Sequence, residues 1–546
     1  MYLTSLPSIP SQIALQTCIG LSHREDTDND IDDINAGTYS IYSSVIDQVW
    51  LSELEGFVPE ISDPYDYLET CFSSFAEGYI LYDYEKQKAL VPSIITYASV
   101  HNSIPIDINE VSSLNPPLTL NLLSDLSHEW RFMTPFTATE HMFTNYINQT
   151  TSLAKLNPGY DFDGFTHDLL PPLSSDLDID VNLIDFIVKE KLFLMYLVRN
   201  CVPDTREHKL FSRIVTENTW MKPVKVYGYE DSIPLFGGDV FEAETNCVAQ
   251  HNLGQIATKG VNNLSYFSRK TKQITEPLEQ NPTEEVSFDS TTTYVALIVG
   301  DGDNINMLKK RNFIWWGARQ ARCRSDDSSY GRMCFPLTWT ISPQLLTLIP
   351  DMIRYFFDGA LNTGRDYFVL PPSGDLYSYP SMMPSEVQDN YIDNVVEDFR
   401  LLSTRSSVHW EWFFSWRDAI TTYFPKYSAK TDSPTGFFLT NVPFDVPIMQ
   451  FKLHEDFKIV GENEGVVLFK PNEWRGVSGT SEQSPSAKDM ARRINLAPKG
   501  TLRHIYLTSD GGASIDSLYS MVDYLEDHVK IVSADALIDL AIQKGA

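Results

Sequence analysis

An α/β protein, with an N-terminal α/β region and a C-terminal (β/α)-barrel-like domain, is the fold class this sequence predicts. Three observations predict it. Short apolar runs alternate with helix-like stretches through the C-terminal half, the helix signals carry capping residues, and acidic and polar residues gather just past the apolar runs. The barrel reading is seven- or eight-stranded and incomplete or distorted. An open doubly wound sheet gives the same rhythm.

The elements follow in order. Gly78 to Tyr82 reads as a strand, Val91 to Val100 as a helix and Ile104 to Ile106 as a strand again. A helix is expected over Asn182 to Asn200, with Leu183, Ile184, Phe186, Ile187 and Leu192 on its apolar face. Residues 271–293 are rich in Thr, Glu, Gln and Pro and poor in apolar side chains, which marks a linker. The expected division is therefore 1–270 as the N-terminal α/β region (one or two subdomains), 271–293 as linker and 294–546 as the barrel-like domain. Candidate strands in the last part are Tyr294 to Val299, Pro336 to Thr340, Tyr367 to Leu370, Val408 to Phe414, Gly436 to Thr440, Val466 to Phe469, Ile505 to Thr508 and Val529 to Val532. After Ser342-Pro343 a helix is marked by Ser as cap and Pro at the first turn. Leu345, Leu346, Ile349, Met352, Ile353 and Phe356 form its buried stripe. A further helix is expected over Glu386 to Ser403.

Composition bounds the function. With 546 residues and 42% hydrophobic content the chain can bury substantial cores in two or three domains. A net charge of −31 argues against nucleic acid or an anionic membrane surface as partner, and leaves a neutral polysaccharide compatible. No apolar run approaches the ~20 residues of a membrane span. Met1 is followed by neither a basic start nor a long apolar core, so no secretory signal is legible. Six cysteines (18, 71, 201, 247, 323 and 334) show no CxxC spacing and do not settle the compartment. Cys323 and Cys334 either bridge or remain as two buried thiols. The acidic run Glu25 to Asp33 reads as a surface insertion, since it lacks the glycine and terminal glutamate of an EF-hand loop.

The most distinctive run is Gly374-Asp-Leu-Tyr-Ser-Tyr-Pro380, which follows the apolar stretch from Tyr367 through a Pro-Pro-Ser turn. Paired aromatics after a buried strand suit a sugar ring, and they equally suit a loop packed on a core. The run resembles the signature of the GxGYxYP family of glycoside hydrolases. Gly374, Tyr377, Tyr379 and Pro380 match, and Leu376 stands where the pattern has its second glycine. Val299-Gly-Asp-Gly-Asp-Asn304, Trp339-Thr-Ile-Ser-Pro343, Lys470-Pro-Asn-Glu-Trp-Arg-Gly476 and Tyr506-Leu-Thr-Ser-Asp-Gly-Gly512 are similar to the family as well. Leu15-Gln-Thr-Cys-Ile-Gly-Leu21 and Gly78-Tyr-Ile-Leu-Tyr-Asp83 resemble its N-terminal domain more weakly. The resemblance implies a carbohydrate substrate, secretion and a barrel-like hydrolase domain.

Glycoside cleavage commonly uses two carboxyl groups, one protonated and one ionised. The candidates stand at strand ends: Asp301, Asp303 and Asn304 after the first strand, Asp375 after the third, Asn441 after the fifth, Glu473 and Arg475 after the sixth, and Asp510 after the seventh. Asp301, Asp303, Glu473 and Asp510 are the candidate reacting groups. Glu473 is the first choice of acid, because Trp474 beside it would raise its pKa, while Arg475 would lower it or clamp substrate. Asn304, Trp339, Asp375, Tyr377, Tyr379, Trp410, Asn441, Trp474 and Arg475 are the expected sugar contacts, since seven of the ten tryptophans lie in the C-terminal half. No cofactor is expected, with Ca²⁺ or Mg²⁺ at Asp301 and Asp303 as the alternative. No GxSxG, P-loop or HExxH motif appears. The competing functions are a glycan-binding or extracellular structural protein, and a polysaccharide deacetylase-like enzyme whose HxxxH pattern is missing here.

Overall fold

The computed structural model describes residues 2–3, 8–24, 39–40, 49–50, 61–62, 64–114, 121–159, 179–229, 243–325, 334–440, 446–462, 465–474, 485–508 and 514–545. The acidic run at 25–33 lies outside them. Two compact units emerge: 1–238 with 253–273 and 347–351, and 239–252 with 274–346 and 352–546.

The first unit is built of parallel strands. Short β1 (Tyr2–Leu3), β2 (Tyr39–Ser40) and β3 (Ile61–Ser62) pair in the order β2-β1-β3. A second sheet, β5-β4-β6, joins β4 (Gly78–Tyr82), β5 (Ser103–Asp107) and β6 (Asn121–Asp125). A third, β10-β9-β7-β8, joins β7 (Leu153–Lys155), β8 (Phe193–Met195), β9 (Val224–Gly228) and β10 (Leu253–Ala257). The helix Ile9–Ser22 is apolar almost all round and is buried accordingly. Its first turn is capped by the Ser8 side chain, and the Cys18–Cys71 disulfide ties it to the helix Pro64–Ser74. The expected strand Gly78–Tyr82 and helix Val91–Val100 stand at their predicted bounds.

The expected helix over 182–200 is corrected. The chain is helical over Ile184–Lys189, turns at Lys191 with φ +52°, and continues as β8. Leu192 to Val198 is a wholly buried apolar run, and periodicity alone does not separate such a strand from a buried helix.

In the second unit β11 (Thr293–Val299) is central. The first sheet, β13-β12-β11-β19-β18, adds β12 (Leu337–Thr340), β13 (Asp366–Val369), β18 (Glu473–Trp474) and β19 (Leu502–Leu507), all parallel, with β20 (Val529–Val532) on the first half of β11. The second sheet, β14-β15-β17-β16, holds β14 (Ser406–His409), β15 (Thr435–Leu439), β16 (Phe457–Val460) and β17 (Val466–Phe469). A parallel bridge from Leu370 to Ser407 links the two. Eight of the predicted strands are therefore present, within a few residues of their expected bounds. Among the described residues their ladders do not close into a barrel, because antiparallel β16 takes the outer edge of β17.

Two further expectations are corrected. β14 stops at His409 rather than Phe414, since the N–H and carbonyl of Trp410 are both taken by the Ser373 hydroxyl. The helix after Pro343 breaks into Leu345–Leu348 and Pro350–Thr363, because Pro350 has no N–H to continue it, although all six predicted stripe residues are buried. The predicted 386–403 helix is Ser385–Leu401.

The core of this unit takes Tyr294, Ala296 and Ile298 from β11, Phe438 from β15, Phe469 from β17 and Tyr506 from β19. Ala536, Leu537, Ile538 and Leu540 of the helix Ala534–Gly545 enter the same core, and Gly436 leaves the space that Ile538 fills. Residues 274–292 run along this unit. The Gln280 amide pairs with both the N–H and the carbonyl of Phe368, which covers the edge of β13. Cys323 and Cys334 are bonded, and no described cysteine is free.

Candidate functional site

The C-terminal end of β11 is shaped by two glycines. A Cβ on Gly300 would stand 2.6 Å from Cζ of Tyr506, and one on Gly302 would stand 2.0 Å from the Thr340 carbonyl oxygen. The Gly300 N–H bonds the Leu507 carbonyl (2.8 Å), and the Gly302 N–H bonds the Thr340 hydroxyl (2.9 Å). The turn thus reaches both neighbouring strands, and Asp301 between the glycines adopts φ +61°. Asn304 caps the next helical turn through its Oδ1 on the Met307 N–H (3.1 Å).

A π-helical turn, Leu308–Asn312, then brings Arg311 back over the strand end. Its guanidinium pairs with the Asp301 carboxylate, bonds the Gly300 carbonyl (3.0 Å) and lies over the Trp315 ring at 4.4 Å. Asp301 is held by a cation. Asp303 is not: burial first, and then the Asp301 charge, push its carboxyl up to about 7.

Tyr506 joins this turn to β18. Its buried hydroxyl accepts the Asp301 N–H (3.3 Å), and it stands opposite Glu473 in the β18–β19 register. Burial, then Asp301 and Asp303, and to a lesser extent Glu473, push the phenol well above its ordinary range. Three of the four candidate reacting carboxylates, Asp301, Asp303 and Glu473, therefore surround one tyrosine. Asp510, together with the candidate contacts Asn441 and Arg475, lies outside the described residues.

The motif loop follows β13. Gly374 takes φ +105°, where a Cβ would also meet Val395 at 2.8 Å; Leu376 is not among the residues of positive φ. Leucine in place of the second glycine is accommodated because the buried Tyr391 hydroxyl bonds the Leu376 N–H (3.1 Å) and carbonyl (2.6 Å). Tyr377 packs edge-on to Trp410 at 5.1 Å, and Tyr379 is tilted against Trp412 at 6.1 Å. All four rings are buried in the core cluster. Asp375 accepts from the Gln344 and Asn394 side-chain amides.

Two candidate tryptophans are anchored through their indole nitrogens. Trp339 Nε1 donates to Asp366 (2.9 Å), and Trp474 Nε1 donates to the Pro485 carbonyl (2.9 Å). Sequence reasoning missed Tyr506, Arg311 and Glu411. Glu411 sits between Trp410 and Trp412, fully buried, and bonds His409 Nε2 (3.0 Å). A carboxylate between two apolar aromatics was the available signal for it.

Among the described residues no group of three or more His, Cys, Asp or Glu side chains is placed to hold a metal ion. A Ca²⁺ or Mg²⁺ at Asp301 and Asp303 would have to displace the Arg311 guanidinium from the Asp301 carboxylate. No described helix is long and apolar enough to cross a membrane.

Residues 291–542 match the family model described as "GxGYxYP putative glycoside hydrolase C-terminal domain". A solved structure titled as a putative hydrolase from Bacteroides thetaiotaomicron VPI-5482 superposes with a TM-score of 0.71, covering 99% of this chain and 94% of that one. At 18% identity that likeness is one of fold. No curated protein matches the chain.

Proposed function

We propose that this chain, whose residues 291–542 match the GxGYxYP glycoside hydrolase C-terminal family, cleaves glycosidic bonds of a poly- or oligosaccharide with strand-end carboxylates near Tyr506. One observation carries the reading: Asp303 is held up to about 7 beside an Asp301 whose carboxylate pairs with the Arg311 guanidinium. A carboxyl raised in this way, at a strand end among other carboxylates, is what an acid needs. Asp303 donates its proton to the leaving oxygen, and Glu473, on β18 of the same sheet, serves as nucleophile or as base for a water. Asp301 keeps the Asp303 proton in place and orients the turn. The motif loop, packed on Trp410 through Tyr377, frames the sugar site, and Asp510 and Arg475, which follow β19 and β18 in sequence, complete the set. The parallel α/β sheets of the second unit, which place these carboxylates at strand ends, support the reading.

The test is a hydrolysis and binding screen of purified protein over glycans. Asp303→Asn and Glu473→Gln should each lower kcat by roughly 10²–10⁴-fold on the confirmed substrate, as expected for loss of an acid or base. Activity should fall as pH rises through about 7, because the donor loses its proton there. Variants that keep full activity would sink the assignment. Tight binding with no hydrolysis of any glycan would instead favour a glycan-binding protein.

A further inference from the structure

The motif loop is bracketed by two serines, Ser373 before Gly374 and Ser381 after Pro380, and both attach to consecutive residues past the end of β14. Ser373 Oγ donates to the Trp410 carbonyl (2.9 Å) and accepts its N–H (3.1 Å). At the other bracket the partner is a side chain. The Ser381 N–H donates to Glu411 Oε1 (3.1 Å) and its hydroxyl to Oε2 (2.5 Å). The same carboxylate accepts from His409 Nε2 (3.0 Å) and the Ser415 hydroxyl (3.0 Å), so each oxygen faces two donors. Glu411 and His409 have no exposed surface, and rings of Phe424 (4.6 Å), Tyr423 (5.6 Å) and Phe437 (5.8 Å) enclose the imidazole. With Nε2 donating, Nδ1 finds no hydrogen-bond partner among the described residues. A buried carboxylate and an imidazole with one idle nitrogen are costly fittings for a core, and two hydroxyls with an amide repay that cost only in this loop geometry.

We propose that Glu411 is the positioning residue of the site: it clamps the Ser381 end of the motif loop to β14 and thereby fixes Tyr377 and Tyr379 against Trp410 and Trp412. The carboxylate touches no solvent, so it acts through the loop and not on substrate. The Gln388 side-chain amide holds the same end from the other side, through the Ser381 (3.0 Å) and Met383 (2.9 Å) carbonyls, and leaves the Ser381 donors to Glu411. A glutamine at 411 could still accept the Ser381 N–H while the hydroxyls rotate to accept from its amide. An alanine could do neither.

Hydrogen exchange on the full chain tests this. In Glu411→Ala the amides of residues 373–383, Ser381 above all, should exchange roughly 10- to 100-fold faster, the loss of one or two hydrogen bonds read through the opening equilibrium. Glu411→Gln should stay near wild type. Leu537→Ala, in the same core but away from the clamp, controls for general destabilisation. An alanine variant whose loop exchanges no faster than in Leu537→Ala overturns the proposal.

The kinetic arm rests on the hydrolase reading. On a confirmed substrate Glu411→Ala should lower kcat by about 10²-fold through misplacement, with the alkaline limb set by Asp303 unmoved. Faster exchange with unchanged kcat would overturn the positioning role. A screen that yields no substrate would sink the hydrolase reading alone, and exchange would then decide the clamp.

Discussion

Two acidic clusters sit at opposite ends of the same parallel strands in the second unit, and they are compensated in opposite ways. At the start of β13, Asp366 is fully buried with Arg319, and each of its oxygens has a second donor. Oδ1 accepts from Arg319 Nε (3.0 Å) and Trp339 Nε1 (2.9 Å), and Oδ2 from Arg319 Nε (3.3 Å) and the Thr363 hydroxyl (2.6 Å). Arg319 in turn donates to the Tyr519 hydroxyl and the Phe335 carbonyl. At the far end of β11, Asp301 pairs with the Arg311 guanidinium, and burial pushes Asp303 up to about 7. Saturated charge holds a structure together. Charge left short of partners holds a proton, and it is the second kind that can do acid–base chemistry.

The largest effect should come from the saturated end. Asp366→Ala strands a buried guanidinium and should cost about 3–5 kcal/mol, seen as a large fall in the melting temperature of the second unit. A loss below ~1 kcal/mol would mean that water or another acid replaces the carboxylate. Next comes Gly302→Ala, whose Cβ cannot share space with the Thr340 carbonyl. Shifting that backbone should cost about 1–3 kcal/mol and, on a confirmed substrate, much of the activity.

Asp303 should behave oppositely to Asp366. Its folded pKa lies above the ordinary 3.8, so the fold favours the protonated form. That contribution is fully present at low pH and is lost as pH rises through about 7. Asp303→Asn should therefore leave stability at pH 4 nearly unchanged and raise it at pH 8, by about 1–2 kcal/mol after allowing for partial exposure of the carboxyl. Unfolding curves at the two pH values check it, and a variant less stable at pH 8 would place Asp303 with the saturated cluster. The smallest effect is electrostatic: Asp301→Asn removes the neighbouring charge that helps hold the Asp303 proton. The alkaline limb of activity should move to lower pH by less than about one unit, because burial is the larger cause.

Much of this was legible in residue order. The strand positions of the second unit follow from short apolar runs. The turn Gly300 to Asp303 announced itself as acidic and glycine-rich after a buried strand. The misses share a cause. Leu192 to Val198 has no polar face to set a period, so a strand there reads like a helix. Val408 to Phe414 is rich in aromatics, and nothing local tells that Ser373, 37 residues away, takes the backbone of Trp410. Tyr506 and Glu411 looked like ordinary strand residues, because their partners lie on other elements.

The sequence by itself determined the alternation of strands and helices, the acidic strand ends and the family signature, since all three rest on neighbours within a few residues. Tertiary structure alone decided which carboxylates share a neighbourhood, which are saturated, and that the ladders of the second unit stay open where β16 pairs antiparallel to β17. The reason is physical. A carboxylate's proton affinity and a strand's free edge depend on what is brought within a few ångströms from distant parts of the chain, and no local pattern encodes that.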